Sequence, residues 1–232
     1  HRAERLSGVL SVIYLVFNEG YSATRGEAAV RVDLAEEALH LARMLTRLCP
    51  DDPEVLGLRA LMALHHSRRH ARVDADGDIV LLEDQDRTTW DRALVEEGLS
   101  RIEDALRGGG PYALQAGIAA LHAQAPSYED TDWAQIEGLY RALYVRTRSP
   151  VVGLNLAVAV AMHHGPVVGL QMMDGLADTL KGYHLLHSAR GALLKRCGRV
   201  DEALQAYEHA LETVGNEPER RFLLRAIEQL RS

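Results

Sequence analysis

The chain has 232 residues, of which 47% are hydrophobic and 25% charged, enough to bury a sizeable core without a disulfide or metal staple. A formal net charge of -7 argues against a phosphate-neutralising nucleic-acid surface, and no apolar run approaches the ~20 residues of a membrane helix, Gly153 to Met162 being the longest candidate. The two cysteines, Cys49 and Cys197, give neither a disulfide framework nor a zinc-ligand spacing, which suits a reducing, cytoplasmic compartment.

The start, His1 to Arg5, carries neither an initiator methionine nor an apolar signal core and reads as internal to a longer chain. A first helix is expected over Glu4 to Glu19, with Leu6, Val9, Leu10, Ile13, Val16 and Phe17 at helical spacing and Gly20 and Gly26 bracketing its exit. A second helix is expected to start after Asp33 as N-cap and to end before Pro50. Pro53 opens a third, running to about Arg69. Val73 to Leu82 reads as a short β-hairpin turning at Asp76-Gly77, and a further helix is expected over Trp90 to Leu106.

Gly108 to Gly110 with Pro111 forms the clearest internal boundary, short enough to be a tight inter-helix connection instead of a domain linker. Seven helices follow, over Tyr112 to Ala125, Asp132 to Thr147, Val151 to His164, Val167 to Leu180, Tyr183 to Cys197, Val200 to Val214 and Glu217 to Leu230. Their short connections suit antiparallel pairs.

From His184 to Thr213 the chain carries the tetratricopeptide (TPR) spacing of small and large residues: Gly191, Leu194, Gly198, Ala203, Tyr207 and Ala210. Small residues let two helices approach while Leu194 and Tyr207 fill the gaps. Looser copies stand at Asn155 to Leu176 and around Ala38, Ala42, Leu45 and Pro50. The expected fold is all-α: a TPR-like, right-handed helical repeat array of antiparallel helix pairs with one β-hairpin insertion, in one domain over residues 1–232.

Several irregular strings are more specific than that spacing. They are VIYLVFNEGY at Val12 to Tyr21, PEVLGL at Pro53 to Leu58 with Ala60-Leu61-Met62, and LLEDQDR at Leu81 to Arg87 with Trp90-Asp91. Further on come EDTDW at Glu129 to Trp133, SPVV at Ser149 to Val152 with Asn155, and GYHLLH at Gly182 to His187. Across the whole chain these resemble the TPR-bearing C-terminal extension of one group of bacterial extracytoplasmic-function sigma factors, of the sigma-70 family. The resemblance implies a part in transcription initiation, exerted on sigma regions 2 and 4 of the same chain, on the RNA polymerase core or on a regulator. Promoter DNA would be touched only by those regions, expected upstream of this chain. The other reading is a free-standing scaffold whose groove takes a peptide or small regulatory ligand.

Candidate contact residues are Asn18, Glu19 and Tyr21 at a helix end, where backbone capping is the commoner role, and Asp130, Asp132, Trp133 and Asn155 from the strings above. Glu83, Asp84, Gln85, Asp86 and Arg87 suit either docking onto a basic surface or bracing the next helix. Trp90, Trp133, Tyr112, Tyr128 and Tyr140 could anchor a peptide, though aromatics at helical spacing are more often core.

No metal ligand set is expected. Asp74, Asp76 and Asp78 lack the glycine and the terminal Glu of a calcium loop, and His66/His70, one turn apart, lack a third ligand. His163, His164, His184 and His187 read as hydrogen-bonded or solvated. With no nucleophile motif and no Lys-Ser/Thr after the glycines, neither an enzyme nor a cofactor is expected.

Overall fold

The computed structural model describes residues 2–21 and 28–231. Among them stand twelve α-helices and no strand, so the chain is all-α with its helices packed in pairs. They divide between two compact units, the first His1–Arg72 with Val80–Thr131 and the second Val73–Ile79 with Asp132–Ser232.

The first unit holds α1 (Arg2–Tyr21), α2 (Ala28–Leu48), α3 (Pro53–Ser67), α4 (Arg92–Leu99), α5 (Ile102–Gly108) and α6 (Pro111–Gln124). Helix α3 is its axis. The Asp52 carboxylate accepts from the Glu54 and Val55 amides at 3.0 and 3.1 Å, Pro53 takes the first turn, and most of the helix is buried. Phe17 of α1, Leu39 of α2, and Leu58 and Met62 of α3 form the centre of its core. Helix α6 also packs along α3, and its first amides would be orphaned because Gly110 offers no side-chain cap. The Glu54 carboxylate supplies one, accepting from Tyr112 N at 3.1 Å and Ala113 N at 3.0 Å. The Gly108 to Pro111 connection thus lies inside this unit.

The second unit holds α7 (Trp133–Thr147), α8 (Pro150–His164), α9 (Pro166–Asp174), α10 (His184–Arg196), α11 (Val200–Thr213) and α12 (Glu217–Arg231), each packed on the next. Asp132 caps α7 by accepting from Gln135 N at 2.9 Å, and Pro150 and Pro166 open α8 and α9. Leu154 and Ala157 of α8, Met173 of α9, and Leu186 and Leu194 of α10 form one core, and Tyr207, Ala210, Leu223 and Ile227 a second between α11 and α12.

Four expectations are corrected. Val73 to Leu82 is not a β-hairpin. A single antiparallel bridge joins Val73 and Ile79, because Asp74 spends its carboxylate on the Asp76 and Asp78 amides at 3.0 and 2.8 Å and closes the loop locally. Asp78, buried, takes ion pairs from Arg221 and Arg225 of α12, so the three aspartates do not converge on a common point.

Asp33 caps nothing, since α2 already runs from Ala28. The helix expected over Trp90 to Leu106 is broken at Ser100 and Arg101, where the Ser100 hydroxyl donates to the Glu97 carbonyl at 2.8 Å. Helix α9 ends at Asp174 instead of Leu180, with turns following. Gly26 and the side chain of Tyr21 lie outside the described residues.

Candidate functional site

The segment after the bridge, Leu81 to Asp91, folds against the ends of α3 and α6. Asp86 caps a 3-10 turn over Arg87–Thr89, accepting from Thr88 N at 2.9 Å, and Asp91 caps α4, accepting from Leu94 N at 3.2 Å. Between the two caps Trp90 is buried, with the guanidinium of Arg87 4.9 Å and that of Arg68 5.7 Å from its ring centre. Arg87 Nη1 donates to the carbonyls of His122 and Ala125, satisfying the open C-terminal end of α6, the latter at 3.1 Å. Gln85 donates to the Val80 carbonyl at 3.1 Å.

Of the two roles left open for this run, the contacts show bracing, by Gln85 and Arg87. Gln85, Arg87 and Trp90 brace from beneath, while Glu83, Asp84 and Asp86 are exposed. Arg87 Nη2 and Trp90 Nε1 are buried without a hydrogen-bond partner among the described residues.

His65 and His122 stand near this platform, on α3 and α6. Burial, then the Arg68 and Arg72 charges, push His65 down to about 3. Burial, then Arg68 and Arg87, push His122 down to about 4. Both are neutral at pH 7, leaving the arginines as the local positive charge. Because the folded values lie below the ordinary histidine value of about 6.5, the unfolded chain takes up protons first as the pH falls. The stability involved is fully present above about 6.5 and is lost from there down towards the folded values, about 2 kcal/mol from His65 alone at pH 5. Urea unfolding should give a lower midpoint at pH 5 than at pH 7, with a smaller difference in His65→Asn. An equal pH dependence in that variant would assign the loss to other groups.

In the same unit an open groove of about 710 Å³ runs between α2, α3 and α4. Glu97 braces it, taking Arg43 at 2.8 Å and Arg59 at 2.9 Å, and these hydrogen bonds, Arg43 first, outweigh burial and hold its carboxyl below the usual range. Arg69 pairs with Asp91 at 3.3 Å, and Asp33, Glu36 and Glu37 line the α2 wall. With Arg68 on Trp90 as well, both of these neighbouring arginines point to internal partners.

The remaining sequence candidates are scattered. Asn18 and Glu19 sit in the last turn of α1, the former half-buried. Asp130 is exposed and bonded to Ser127 at 2.9 Å. Asp132 is the α7 cap, Trp133 is half-buried, and Asn155 is exposed on α8. Tyr112 packs edge-on against Tyr14 at 5.4 Å, a core role. Gly191, Leu194, Gly198, Ala203, Tyr207 and Ala210 come together in the α10–α11 pair: Gly191 faces the Tyr207 ring, and Gly198 makes the intervening turn at φ 71°.

A second cluster was not legible in the sequence. Glu137 of α7, buried, lies with Oε2 at 2.8 Å from His163 Nδ1 and 3.0 Å from His164 Nε2 at the end of α8. Its Oε1 accepts from Arg141 at 2.9 and 2.6 Å. Burial opposes ionisation of Glu137, but His163 and then Arg141 outweigh it and hold the carboxyl below its usual range.

Residues 5–106 match the model of a family described as a family of unknown function, DUF6596. An uncharacterized protein of Rhizobium meliloti (strain 1021) is 49% identical over 231 residues, covering 99% of this chain and 55% of that protein. The chain thus spans about half the length of that relative. No helix among the described residues is long and apolar enough to cross a membrane.

Proposed function

We propose that this chain is the C-terminal regulatory domain of an extracytoplasmic-function sigma factor, a TPR-like helical array that works by protein contacts and reads no DNA itself. The observation that carries the reading is the platform at Leu81 to Asp91. In one irregular string of the sigma-factor resemblance Arg87 and the neighbouring Trp90 are locked inward, while three acidic residues, Glu83, Asp84 and Asp86, are exposed. A fixed row of exposed acids is suited to a basic protein surface, where charge complementarity sets register and association rate. The acid-rich α2 wall of the groove has the same sign, so a basic segment of the sigma regions or of polymerase is the partner that fits both.

The test is binding between this chain and the separately expressed regions encoded upstream of it in the same gene. Glu83→Gln with Asp84→Asn should weaken that binding roughly tenfold at low salt and flatten its salt dependence. In the full-length protein, removing Val200 to Ser232 should abolish promoter-dependent transcription, because the end of a helical stack is exposed by losing its last members. An upstream reading frame without sigma regions, or unchanged binding by the double variant, would sink the proposal.

A further inference from the structure

The pairing of α7 with α8 gathers three side chains whose donor atoms all lie within 4.8 Å of one another: Glu137, His163 and His164. The histidines are adjacent in sequence, yet both reach one carboxylate oxygen because they occupy the last turn of α8, directly before Gly165 turns the chain at φ 102°. We propose that these three residues form a binding site for a divalent transition metal ion of the zinc type.

Two imidazole nitrogens and one carboxylate oxygen are a donor set for zinc-like ions, whereas magnesium and calcium require oxygen ligands. Zinc bonds of about 2.0–2.2 Å in a tetrahedron place neighbouring donors roughly 3.3–3.5 Å apart. The present contacts of 2.8 and 3.0 Å must open by about half an ångström. The imidazoles can do this by side-chain rotation, since they are 38% and 48% exposed while the carboxylate beneath is fixed. That exposure also gives the ion an entry path and leaves its fourth position to water.

Arg141 holds Oε1 and so turns Oε2 towards the histidines, the orienting role of a group just outside the ligands. Its charge moderates affinity for a dication. The site is independent of the sigma-factor reading: it would stand if that reading fell, and fall without touching it.

Isothermal titration of the metal-free chain with zinc chloride should give one ion per chain with a micromolar dissociation constant, and magnesium chloride should give no binding in that range. His163→Ala with His164→Ala should weaken zinc binding at least tenfold with an unchanged circular dichroism spectrum, because both residues lie on the surface. Glu137→Gln should do the same to binding. The stacked pair His187 and His209, with ring centres 5.5 Å apart, is the control, and replacing both with Ala should leave zinc binding intact. No micromolar zinc binding, magnesium binding as tightly as zinc, or affinity that survives loss of His163 and His164 would overturn the site.

Discussion

Replacing Gly57 with leucine is expected to destabilise the first unit by about 3–5 kcal/mol, a large share of the 5–15 kcal/mol that holds a typical domain together. At this position α3 and α6 touch backbone to backbone. A Cβ on Gly57 would stand 2.5 Å from the Ala113 amide nitrogen and 2.7 Å from its Cα, and neither atom can rotate away. Accommodating any side chain means moving α6 off α3. That movement pulls the Tyr112 and Ala113 amides away from Glu54, which lies one turn earlier and is their cap. Crowding and uncapping therefore occur together.

The comparison that isolates this cause is Gly8→Ala. Gly8 is also helical, but nothing lies within 4 Å of its missing Cβ, so alanine there should stabilise by about 0.5–1 kcal/mol through backbone entropy alone. Urea unfolding of the two variants should move in opposite directions. A Gly57→Leu protein with the parental midpoint would show that the α3–α6 contact is looser than described.

The same pair of helices shows what could be read from the sequence. Where a helix is opened by local chemistry, the sequence carries the signal: Asp52-Pro53, Asp132, Pro111, Pro150 and Pro166 all stand where helices begin. Asp33 is the same residue type in the same kind of context, yet it lies inside α2, because a capping residue does not announce whether the preceding backbone is already helical. The turn at Asp76-Gly77 is real, with Gly77 at φ 76°. The strands expected around it failed because Asp74 and Asp78 spend their carboxylates on local amides and on α12 arginines, leaving one bridge where a ladder was expected.

Contacts made by tertiary pairing left no local trace. Gly57 reads as one more residue of an apolar helix until α6 is laid on it. Glu137 carries no motif, and its partners lie 26 and 27 positions later, so the cluster exists only once α7 and α8 are antiparallel neighbours. Histidines read singly are fairly taken as solvated, and these two are exposed; what changes their meaning is the buried acid underneath. The Leu81 to Arg87 string is the intermediate case. Its two candidate roles were both visible as chemistry, and only the fold could show which of its side chains turn inward and which stay exposed.

Arg87→Ala is expected to cost the first unit about 2–4 kcal/mol and to loosen the acidic face above it. The guanidinium performs two tasks at once. It donates to the His122 and Ala125 carbonyls at the end of α6, and it lies over the Trp90 ring at 4.9 Å. Alanine would leave two carbonyls of a helix end without their charged donor and open one face of a buried indole.

Arg87→Lys separates the two tasks. A lysine retains the charge over the ring but has no planar fork to span two carbonyls, so it should recover part of the stability and less of the order. Hydrogen exchange is the more telling readout. Amides of Thr88 to Trp90 depend on this short turn, and should lose protection in Arg87→Ala while those of α2 and α3 keep theirs.

If the exposed acids contact a partner, binding should fall in Arg87→Ala although no carboxylate has been touched, because Glu83 and Asp84 are then presented on a disordered segment that must be ordered on association. The charge-neutral Glu83→Gln/Asp84→Asn pair should weaken binding without a change in exchange. Equal protection of Thr88 to Trp90 in Arg87→Ala and the parent would mean that the segment is held by Asp86, Gln85 and Trp90 without the arginine, and that the carboxylates owe their position to the backbone turn alone.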